Sequence, residues 1–424
     1  MLTAVVGTNW GDEGKGRMVD LLAGQNDIVV RYQGGNNAGH TVVNNKGKFV
    51  LNLLPSGILR ESTVNVMGNG MVIDIEHLVG EITALQARGI SITQENLKIS
   101  DKATICLPFH KMLDEIEEDR LGAAKQGSTR RGIAPVYADR YMRKSIRMAD
   151  LLSPDTLEEK IISLTEWKNL TIVGGYEKEA VCVKDTLNWL LHYGKILEPY
   201  ICSTTYYLAE ALQENKNVLF EAQLGALRDI DFGIYPYTSS SSTLAAYAPI
   251  GAGIPFARID EILGITKAYS SSVGGGPFVV ELSGAEAEKL RKEGNEYGAA
   301  TGRPRRVGPF DVVATKYGVL MQGATHLALT NLDVISYMDE IPVCIAYEID
   351  DEKTTSFPTG DLLERAKPVV TYLPGFREDI SKCRALKDLP AAAQAYVRYI
   401  EEAVGVPIKY ISVGPERNDY MEVK

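Results

Sequence analysis

The segment from Gly7 to Gly16 combines glycines with charged side chains in an order suited to holding phosphate. Its sequence is GTNWGDEGKG, and the apolar run at residues 2–6 before it predicts a buried strand. Residues 17–24 carry apolar side chains at helical spacing and end at Gly24, a common helix stop. A glycine-rich turn between a strand and a helix can aim several N–H groups at a phosphate, and the helix N-terminus adds positive potential. The segment predicts a P-loop-like nucleotide-binding loop, with an unliganded glycine turn as the alternative.

This loop departs from the Walker A pattern G-x-x-x-x-G-K-[ST] at two positions. Asn9 replaces the first glycine of the pattern, and Gly16 replaces the hydroxyl residue that would hold magnesium. Asp12, inside the loop, could supply the missing metal ligand or act as a base.

A second glycine-rich loop follows closely. Residues 28–33 predict another strand, and residues 34–41 (GGNNAGHT) form the loop after it. Loops that follow parallel strands meet at the carboxyl edge of the sheet, where ligands bind in such folds. We therefore expect Asp12 and His40 to face one site. A single histidine more often has a structural role, but His40 lies in a polar, glycine-rich loop with few apolar neighbours to pack against.

The composition excludes several classes of protein. The 424 residues are 45% apolar and 24% charged, with a net charge of −10, which fits a globular protein and disfavours nucleic-acid or membrane binding. No segment resembles a signal peptide or a membrane span. The five cysteines are scattered without a C-x-x-C pair, which favours reduced thiols in a cytoplasmic protein over disulfides or zinc.

Two basic clusters stand out against the acidic background. One lies between Lys125 and Arg147, and the other is the run Arg303 to Arg306. Guanidinium groups match the geometry of phosphate and carboxylate, so both clusters predict small anionic ligands. For Arg140, Lys144 and Arg147 a solvated helix face is an equal alternative.

The remaining patterns predict an α/β protein. Apolar spacing predicts a helix near 108–121, a mainly helical section near 151–217 and a helix from Pro390 to Val404. Residues 218–221, 327–330 and 408–413 predict short buried strands. Interleaved strands and helices favour a large, mostly parallel central sheet with helices on both faces. Since no linker interrupts the sequence, we expect residues 1–424 to form a single domain.

Motifs distributed along the whole chain resemble those of the adenylosuccinate synthetase family. The matching segments are Trp10–Gly16, Arg31–Thr41, Gly68–Gly70, Thr129, Arg131–Ile133, Asp229–Asp231, Tyr235–Tyr237, Gly294–Glu296, Thr301–Arg303, Arg305–Arg306, Leu332–Asp333 and Gly414–Pro415. They occur in order, and the resemblance also implies one domain.

The resemblance implies a ligase of AMP biosynthesis that joins IMP to L-aspartate while GTP becomes GDP and phosphate. The O6 of IMP is first phosphorylated, and the amine of aspartate then displaces phosphate from C6. Asp12 matches the family's base and a Mg²⁺ ligand, and the Gly39 carbonyl matches a second Mg²⁺ ligand. His40 matches the residue that assists phosphoryl transfer. The resemblance also implies a homodimer in which Arg143 reaches the neighbouring subunit's nucleotide.

The resemblance further assigns positions to each substrate. GTP contacts fall on Gly11, Asp12, Glu13, Gly14, Lys15, Gly16, Arg17, Gly39, His40, Thr41, Arg305, Asn331, Asp333, Ser412 and Gly414. IMP contacts fall on Asp12, Lys15, Asn37, Thr129, Arg143, Gln223, Ser239 and Arg303. Aspartate contacts fall on Ala299, Ala300, Thr301, Arg303 and Arg305.

Two departures from the family pattern leave alternatives open. Asn331 replaces the lysine of the guanine motif and cannot stack a long aliphatic stem on the base, while Asp333 remains. In a second family motif, here residues 221–225 (EAQLG), the glutamine lies one position earlier than in the family, at Gln223. An alternative is a 2-aminoadenylosuccinate synthetase with a guanine-nucleotide acceptor, although the presence of Asp12 favours IMP. A GTP-binding regulatory protein is the alternative from another class.

Overall fold

A computed structural model describes residues 1–44, 47–122, 125–298, 302–416 and 418–423. Its strands are β1 Leu2–Gly7, β2 Ile28–Arg31, β3 His40–Asn44, β4 Gly47–Leu51, β5 Val64–Met67, β6 Val72–Ile73, β7 Leu97–Ser100, β8 Thr104–Ile105, β9 Ile201–Cys202, β10 Val218–Glu221, β11 Glu261–Lys267, β12 Ser270–Ser272, β13 Arg306–Gly308, β14 Phe310–Asp311, β15 His326–Thr330, β16 Glu340–Ile349, β17 Glu352–Thr354, β18 Lys367–Pro374, β19 Ile408–Ser412 and β20 Tyr420–Glu422.

The helices complete the set of elements. They are α1 Lys15–Leu22, α2 Ile75–Ala87, α3 Pro108–Arg120, α4 Ile133–Tyr141, α5 Pro154–Gly174, α6 Val183–Leu197, α7 Thr204–Gln213, α8 Ala248–Ala252, α9 Gly284–Glu293, α10 Val312–Gln322, α11 Asp361–Arg365 and α12 Ala391–Val404. The helices predicted near 108–121 and 390–404 are α3 and α12. The helices α5, α6 and α7 occupy most of 151–217, and the single-domain organisation stays a prediction.

The central sheet is large and mostly parallel. Within the described residues its order is β20-β19-β15-β11-β1-β10-β2-β5-β7-β9, and β20 alone runs antiparallel to its neighbour. The first strand, β1, lies between β10 and β11, so the loop that follows it leaves the middle of the sheet. The predicted sheet is confirmed.

Helices cover both faces of the sheet because alternate residues of each strand point to opposite sides. On one face Ala4 and Phe220 pack in a core that includes Leu208 of α7 and Ala248 of α8. On the other face Val5 packs in a core built around α1. The prediction of helices on both faces is confirmed. No helix in the described ranges is long and apolar enough to cross a membrane.

Candidate active site

The loop between β1 and α1 has the backbone of an anion cradle. Gly11, Asp12 and Gly14 have φ of 97°, 59° and 98°, and α1 begins at Lys15. Closely spaced residues with positive φ turn the amides of a loop toward one concave side. The Thr330 hydroxyl, at the end of β15, donates to the Glu13 carbonyl at 2.7 Å and ties the loop to the sheet.

Asn9 replaces the first Walker A glycine because its side chain fastens the loop to its surroundings. The amide nitrogen donates to Thr315 Oγ1 of α10 at 2.9 Å. The amide oxygen accepts from the hydroxyls of Thr8 at 2.8 Å and Thr266 at 3.0 Å. The loop is therefore anchored to α10 and β11 through a buried side chain that glycine lacks.

Gly16 replaces the Walker A hydroxyl residue because His40 lies against it. A Cβ atom added to Gly16 would lie 2.9 Å from His40 Cβ and 3.5 Å from Ser56 Oγ. Real Cβ atoms essentially never approach another carbon so closely. The two sequence features, glycine after Lys15 and histidine in the second loop, are therefore parts of one packing arrangement.

His40 is buried and held by a carboxylate. It is the first residue of β3 rather than part of a loop as expected, because β3 pairs with β4 from His40 onwards. Its Nδ1 lies 2.6 Å from Oε1 of Glu221, whose carboxylate also accepts from the backbone amide (2.7 Å) and hydroxyl (2.6 Å) of Ser56. Since Glu221 fixes the proton on Nδ1, Nε2 is the nitrogen left for a ligand. Burial lowers the pKa of His40 against the opposing effect of Glu221.

Lys15 is paired inside the loop. Its Nζ lies 2.5 Å from Oε2 of Glu13, and both side chains are buried. The other oxygen of Glu13 accepts from the amides of Gly11 at 2.8 Å and Asn9 at 3.2 Å. Glu13 therefore orders the loop and compensates the charge of Lys15.

Arg305 joins the predicted base to a buried carboxylate. Its Nε lies 3.1 Å from Asp12 Oδ2, and its Nη1 donates to Glu296 Oε2 at 2.8 Å. Glu296 also accepts from Lys267 Nζ at 2.6 Å and from the Tyr269 hydroxyl. Burial lowers the pKa of Arg305, but the two carboxylates outweigh it and raise that pKa above its ordinary value. The predicted aspartate-binding arginine thus contacts the predicted catalytic base.

A cavity of about 260 Å³ brings many of the predicted residues together. Its lining includes Asp12, Gly14, Lys15, Gly16, Arg17, Gly39, His40, Thr41, Arg305 and Asn331. The expectation that Asp12 and His40 face one site agrees with this cavity. The predicted residues outside this lining are Gly11, Glu13, Asn37, Thr129, Arg143, Gln223, Ser239, Arg303, Asp333, Ser412 and Gly414. Ala299, Ala300 and Thr301 lie outside the described residues.

One end of the cavity leads to the C-terminal segment. Arg17 Nη2 donates to the Gly414 carbonyl at 2.6 Å and lies 3.5 Å from Ser412 Oγ. Asp333 is partly buried after β15, and burial raises its pKa, although Arg17 opposes the shift. Asn331 donates to the Tyr269 hydroxyl at 3.2 Å, so its amide belongs to the Glu296 network.

Gln223 is fully buried and joins the end of β2 to the second glycine loop. Its Oε1 accepts from Arg31 Nη2 at 2.9 Å, and its Nε2 donates to Asn37 Oδ1 at 2.8 Å. A Cβ on Gly34 would lie 1.9 Å from Gln223 Oε1, so only glycine fits there.

The predicted IMP residues Thr129 and Arg143 belong to the first basic cluster. Thr129 is exposed in a loop held by two acids of α3, where Asp114 accepts from Ser128 Oγ at 2.6 Å and Glu118 from the Gly127 amide at 2.8 Å. Arg143 is exposed just after α4 with φ of 61°. Ser239 is half-buried and Arg303 is exposed.

Sequence reasoning did not assign roles to Glu221, Glu296 or Lys267. Glu221 and Lys267 are the last residues of the parallel strands β10 and β11. Charged residues at the carboxyl ends of buried parallel strands point to the ligand edge of such sheets, and this signal could have identified both. Glu296 had no comparable local signal.

Several known proteins resemble the chain over its whole length. The adenylosuccinate synthetase of Halothermothrix orenii is 45% identical over 98% of this chain and 97% of its own. Adenylosuccinate synthetase 2 of Pseudoalteromonas translucida is 46% identical over 97% of each chain. The structure of fully ligated adenylosuccinate synthetase from Plasmodium falciparum is 34% identical, covers 100% of this chain and 99% of that one, and superposes with a TM-score of 0.93.

The fold, the nucleotide-type loop and these relatives define a ligase that forms a carbon–nitrogen bond. The family model for adenylosuccinate synthetase matches residues 4–421. The chain belongs to the adenylosuccinate synthetase family, whose members use GTP, IMP and aspartate, as the sequence resemblance predicted.

A more distant structure shares the fold. The cyanophage S-2L succinoaminodeoxyadenylate synthetase, bound to dGMP and dATP, is 18% identical with a TM-score of 0.61, over 99% of this chain and 95% of that one. At this identity the likeness shows the fold alone. The relatives above 40% identity are adenylosuccinate synthetases, so the comparisons support the main interpretation over a guanine-nucleotide acceptor or a regulatory protein.

Proposed function

We propose that Asp12 and His40 carry the adenylosuccinate synthetase reaction of this chain. The observation that carries the proposal is their position on one cavity, beside the anion cradle and Arg305. In the first step Asp12 accepts the N1 proton of IMP, and O6 attacks the γ-phosphorus of GTP, so that GDP leaves. In the second step the amine of L-aspartate attacks C6. Phosphate departs with O6, and the amine loses a proton.

His40 supports the developing charge. Glu221 holds Nδ1–H, so Nε2 is available to the transferring phosphoryl oxygens and later to the departing phosphate. A hydrogen bond or proton from Nε2 has most effect in the transition state, when negative charge is greatest. Lys15 and the amides of residues 12–16 share that charge.

Arg305 couples aspartate binding to Asp12 in this proposal. Its guanidinium contacts Asp12 at 3.1 Å and is anchored by Glu296 at 2.8 Å. A carboxylate of L-aspartate would compete with Asp12 for the same guanidinium. Glu296 would keep Arg305 in place during the exchange, leaving Asp12 free to accept a proton or to bind a cation.

The residues present fit Mg²⁺ as a cofactor. Mg²⁺ prefers oxygen ligands and is usually held by one or two carboxylates together with substrate phosphates and water. Asp12, whose side chain is 34% exposed, lies on the same cavity as Gly39, whose carbonyl is the second proposed ligand. Groups of three or more His, Cys, Asp and Glu that could hold a metal are absent from the described ranges. When bound, Mg²⁺ neutralises phosphate charge during transfer.

We assign the remaining residues to the three substrates by the family resemblance. Arg17, Asn331, Asp333, Ser412 and Gly414 would bind the guanine nucleotide, and the Arg17–Gly414 contact supports their common location. Asn37, Thr129, Gln223, Ser239 and Arg303 would contact IMP. Arg303, Arg305 and residues 299–301 would hold L-aspartate.

Arg143 is proposed to complete the site of a second subunit in a cytoplasmic homodimer. It is exposed and absent from the cavity lining of its own chain. The adjacent Tyr141 and Met142 are 75% and 57% exposed, so this corner presents apolar surface beside the arginine.

Replacing Asp12 with Asn tests the catalytic assignment. The change keeps the shape but removes the base and the negative charge that would face Mg²⁺, so turnover should fall roughly 10²- to 10⁴-fold for the base role alone. Steady-state rates of adenylosuccinate formation measure the effect, with thermal unfolding as the folding control. Turnover like that of the unmodified enzyme would disprove the assignment.

Co-expression of Asp12→Asn with Arg143→Leu tests the shared site. Each variant alone should be nearly inactive, whereas a mixed dimer regains one site with intact Asp12 and the partner's intact arginine. Measurable turnover in a purified heterodimer is the expected result. A verified heterodimer without activity would place Arg143 outside its partner's site.

A further inference from the structure

Arg143 has a backbone conformation that glycine normally adopts. It follows Met142, the C-cap residue of α4, and its φ is 61°. Its amide donates to the Arg140 carbonyl at 3.1 Å, and the amide of Lys144 donates to the Asp139 carbonyl at 2.8 Å. These two bonds form a Schellman motif, in which the left-handed residue is usually glycine. A side chain in that conformation carries strain, which persists only where the surrounding structure fixes it.

Asp139, whose carbonyl closes this turn, is also held by both oxygens of its carboxylate. It lies in α4 and is only 2% exposed. Nε2 of His110, in α3, lies 3.0 Å from Oδ2. Nζ of Lys168, in α5, lies 2.7 Å from Oδ1. One buried carboxylate therefore joins three helices at the end of α4 that leads to Arg143.

The two partners of Asp139 differ in charge. Nδ1 of His110 accepts from the Leu107 amide at 2.9 Å, so Nε2 carries the proton that is donated to Asp139. Burial lowers the pKa of His110, although Asp139 opposes the shift. His110 is therefore uncharged at neutral pH, and the ammonium group of Lys168 balances the carboxylate.

A second contact attaches the turn to α5. The ammonium nitrogen of Lys144 lies 5.9 Å from the ring centroid of Trp167, and that of Lys168 lies 4.4 Å from the same ring. Cations at this range are attracted by the electrons of a tryptophan ring. Since Lys144 directly follows Arg143, the turn is bound to α5 both through Lys144 and through Asp139.

We infer that Asp139 is a positioning residue for Arg143 and that it thereby acts on the IMP site of the neighbouring subunit. The carboxylate holds α4 between α3 and α5, and the carbonyl of the same residue fixes the turn from which the exposed Arg143 extends. The inference rests on the proposed function, since Arg143 reaches that site only in the proposed homodimer.

Replacing Asp139 with Asn tests the positioning role. The change keeps the shape but leaves Lys168 buried without a counter-charge, so the end of α4 should move. A displaced guanidinium should raise the KM for IMP between about tenfold and 10²-fold. The KM values for GTP and L-aspartate should stay within about twofold, the size of an ordinary packing effect. Steady-state kinetics measure the three values, with thermal unfolding as the folding control.

Asp150→Asn is the matched control. Asp150 lies in the short 3-10 helix Met148–Leu152 and also pairs with a lysine of α5, Lys160. The substitution removes a carboxylate bound to the same helix but leaves Asp139 and the Arg143 turn unchanged. Its KM for IMP should stay within about twofold of the unmodified value.

Co-expression with Asp12→Asn separates a positioning role from a merely structural one. In a heterodimer of Asp139→Asn with Asp12→Asn, the one competent site combines the intact Asp12 of the first subunit with the undisturbed Arg143 turn of the second. Its KM for IMP should return to within about twofold of the unmodified value, because the defect lies in the other site. A structural defect of the Asp139→Asn subunit would stay with that subunit's own site and keep the KM raised.

The outcomes distinguish this inference from the proposed function. An inactive, verified heterodimer of Arg143→Leu with Asp12→Asn defeats the proposed shared site, and the inference with it. If that heterodimer is active, a KM for IMP that is unchanged in the Asp139→Asn homodimer, or still raised in its heterodimer, overturns the inference alone.

A second variant covers a failure of Asp139→Asn to fold. The double variant Asp139→Asn, Lys168→Met removes both charges of the buried pair and leaves neither one unmatched, which is far less costly than breaking the pair. It should show the same raised KM for IMP in the homodimer and the same recovery in the heterodimer. Any other pattern overturns the inference.

Discussion

Replacing Asp311 with Asn should stabilise the protein above pH 6. Asp311 is fully buried, caps α10 by accepting from the Ala314 amide at 2.9 Å, and accepts from the Tyr347 hydroxyl at 2.6 Å. Burial raises the pKa of Asp311 from 3.8 to about 6, and hydrogen bonds to its carboxylate only partly oppose the shift. At about 1.4 kcal/mol for each pKa unit, the difference between 3.8 and about 6 corresponds to roughly 3 kcal/mol.

The sign follows from the raised pKa. The protonated form of Asp311 is favoured in the folded state, so its contribution is complete below pH 3.8 and is lost as the pH rises through about 6. Asn cannot ionise, serves equally well as a helix cap, and can donate to the oxygen of Tyr347. The variant should therefore exceed the unmodified protein in stability by roughly 3 kcal/mol at pH 8, with the gap closing toward pH 4.

Thermal unfolding from pH 4 to pH 8 measures the effect. For 424 residues, roughly 3 kcal/mol corresponds to a rise in Tm of about 3 °C. Asp74→Asn is a matched control, because Asp74 caps α2 but also contacts Lys111 at 3.0 Å and should gain nothing. A Tm difference for Asp311→Asn that is absent at pH 8, or that grows toward pH 4, would refute the reasoning. The same helix carries Thr315, the partner of Asn9 in the phosphate loop, so the capped end supports the site.

Two further substitutions test the arrangement around His40. Gly16→Ser places a Cβ 2.9 Å from His40 Cβ, so kcat should fall at least tenfold. Gly80→Ser is the control and should have no effect, because a Cβ added to Gly80 would meet no atom within 4 Å. Equal rates for both variants would contradict the packing argument. Glu221→Gln keeps the hydrogen-bonding shape but removes the charge that supports a protonated His40, so kcat should fall roughly 10²-fold with little change in the KM for GTP. A raised KM with unchanged kcat would make His40 a binding residue.

The local patterns of the sequence were sufficient to predict the central sheet and the two glycine-rich loops. The strand before Gly7 and the helix after Lys15 follow from apolar spacing, and two parallel strands necessarily bring Asp12 and His40 to one edge. The structural setting of His40 could not be predicted from these patterns. It starts a strand and contacts Glu221, which lies 181 positions along the chain.

The partners of the catalytic loops come from distant segments, which is why they escaped prediction. Asn9 is bound by Thr315, 306 positions away, and Arg305 is anchored by a glutamate whose role depends on Lys267 and Tyr269. Such contacts are set by the packing of the whole sheet.

The fate of O6 tests the central claim most directly. In the proposed reaction O6 of IMP attacks phosphorus and leaves with phosphate, so IMP labelled with ¹⁸O at the 6-position should transfer its label to inorganic phosphate. The account predicts one labelled phosphate for each adenylosuccinate formed from GTP and L-aspartate, and a rate of label transfer with Asp12→Asn that falls together with turnover. Adenylosuccinate formed with the label released as water, or phosphate labelled without adenylosuccinate, would contradict it.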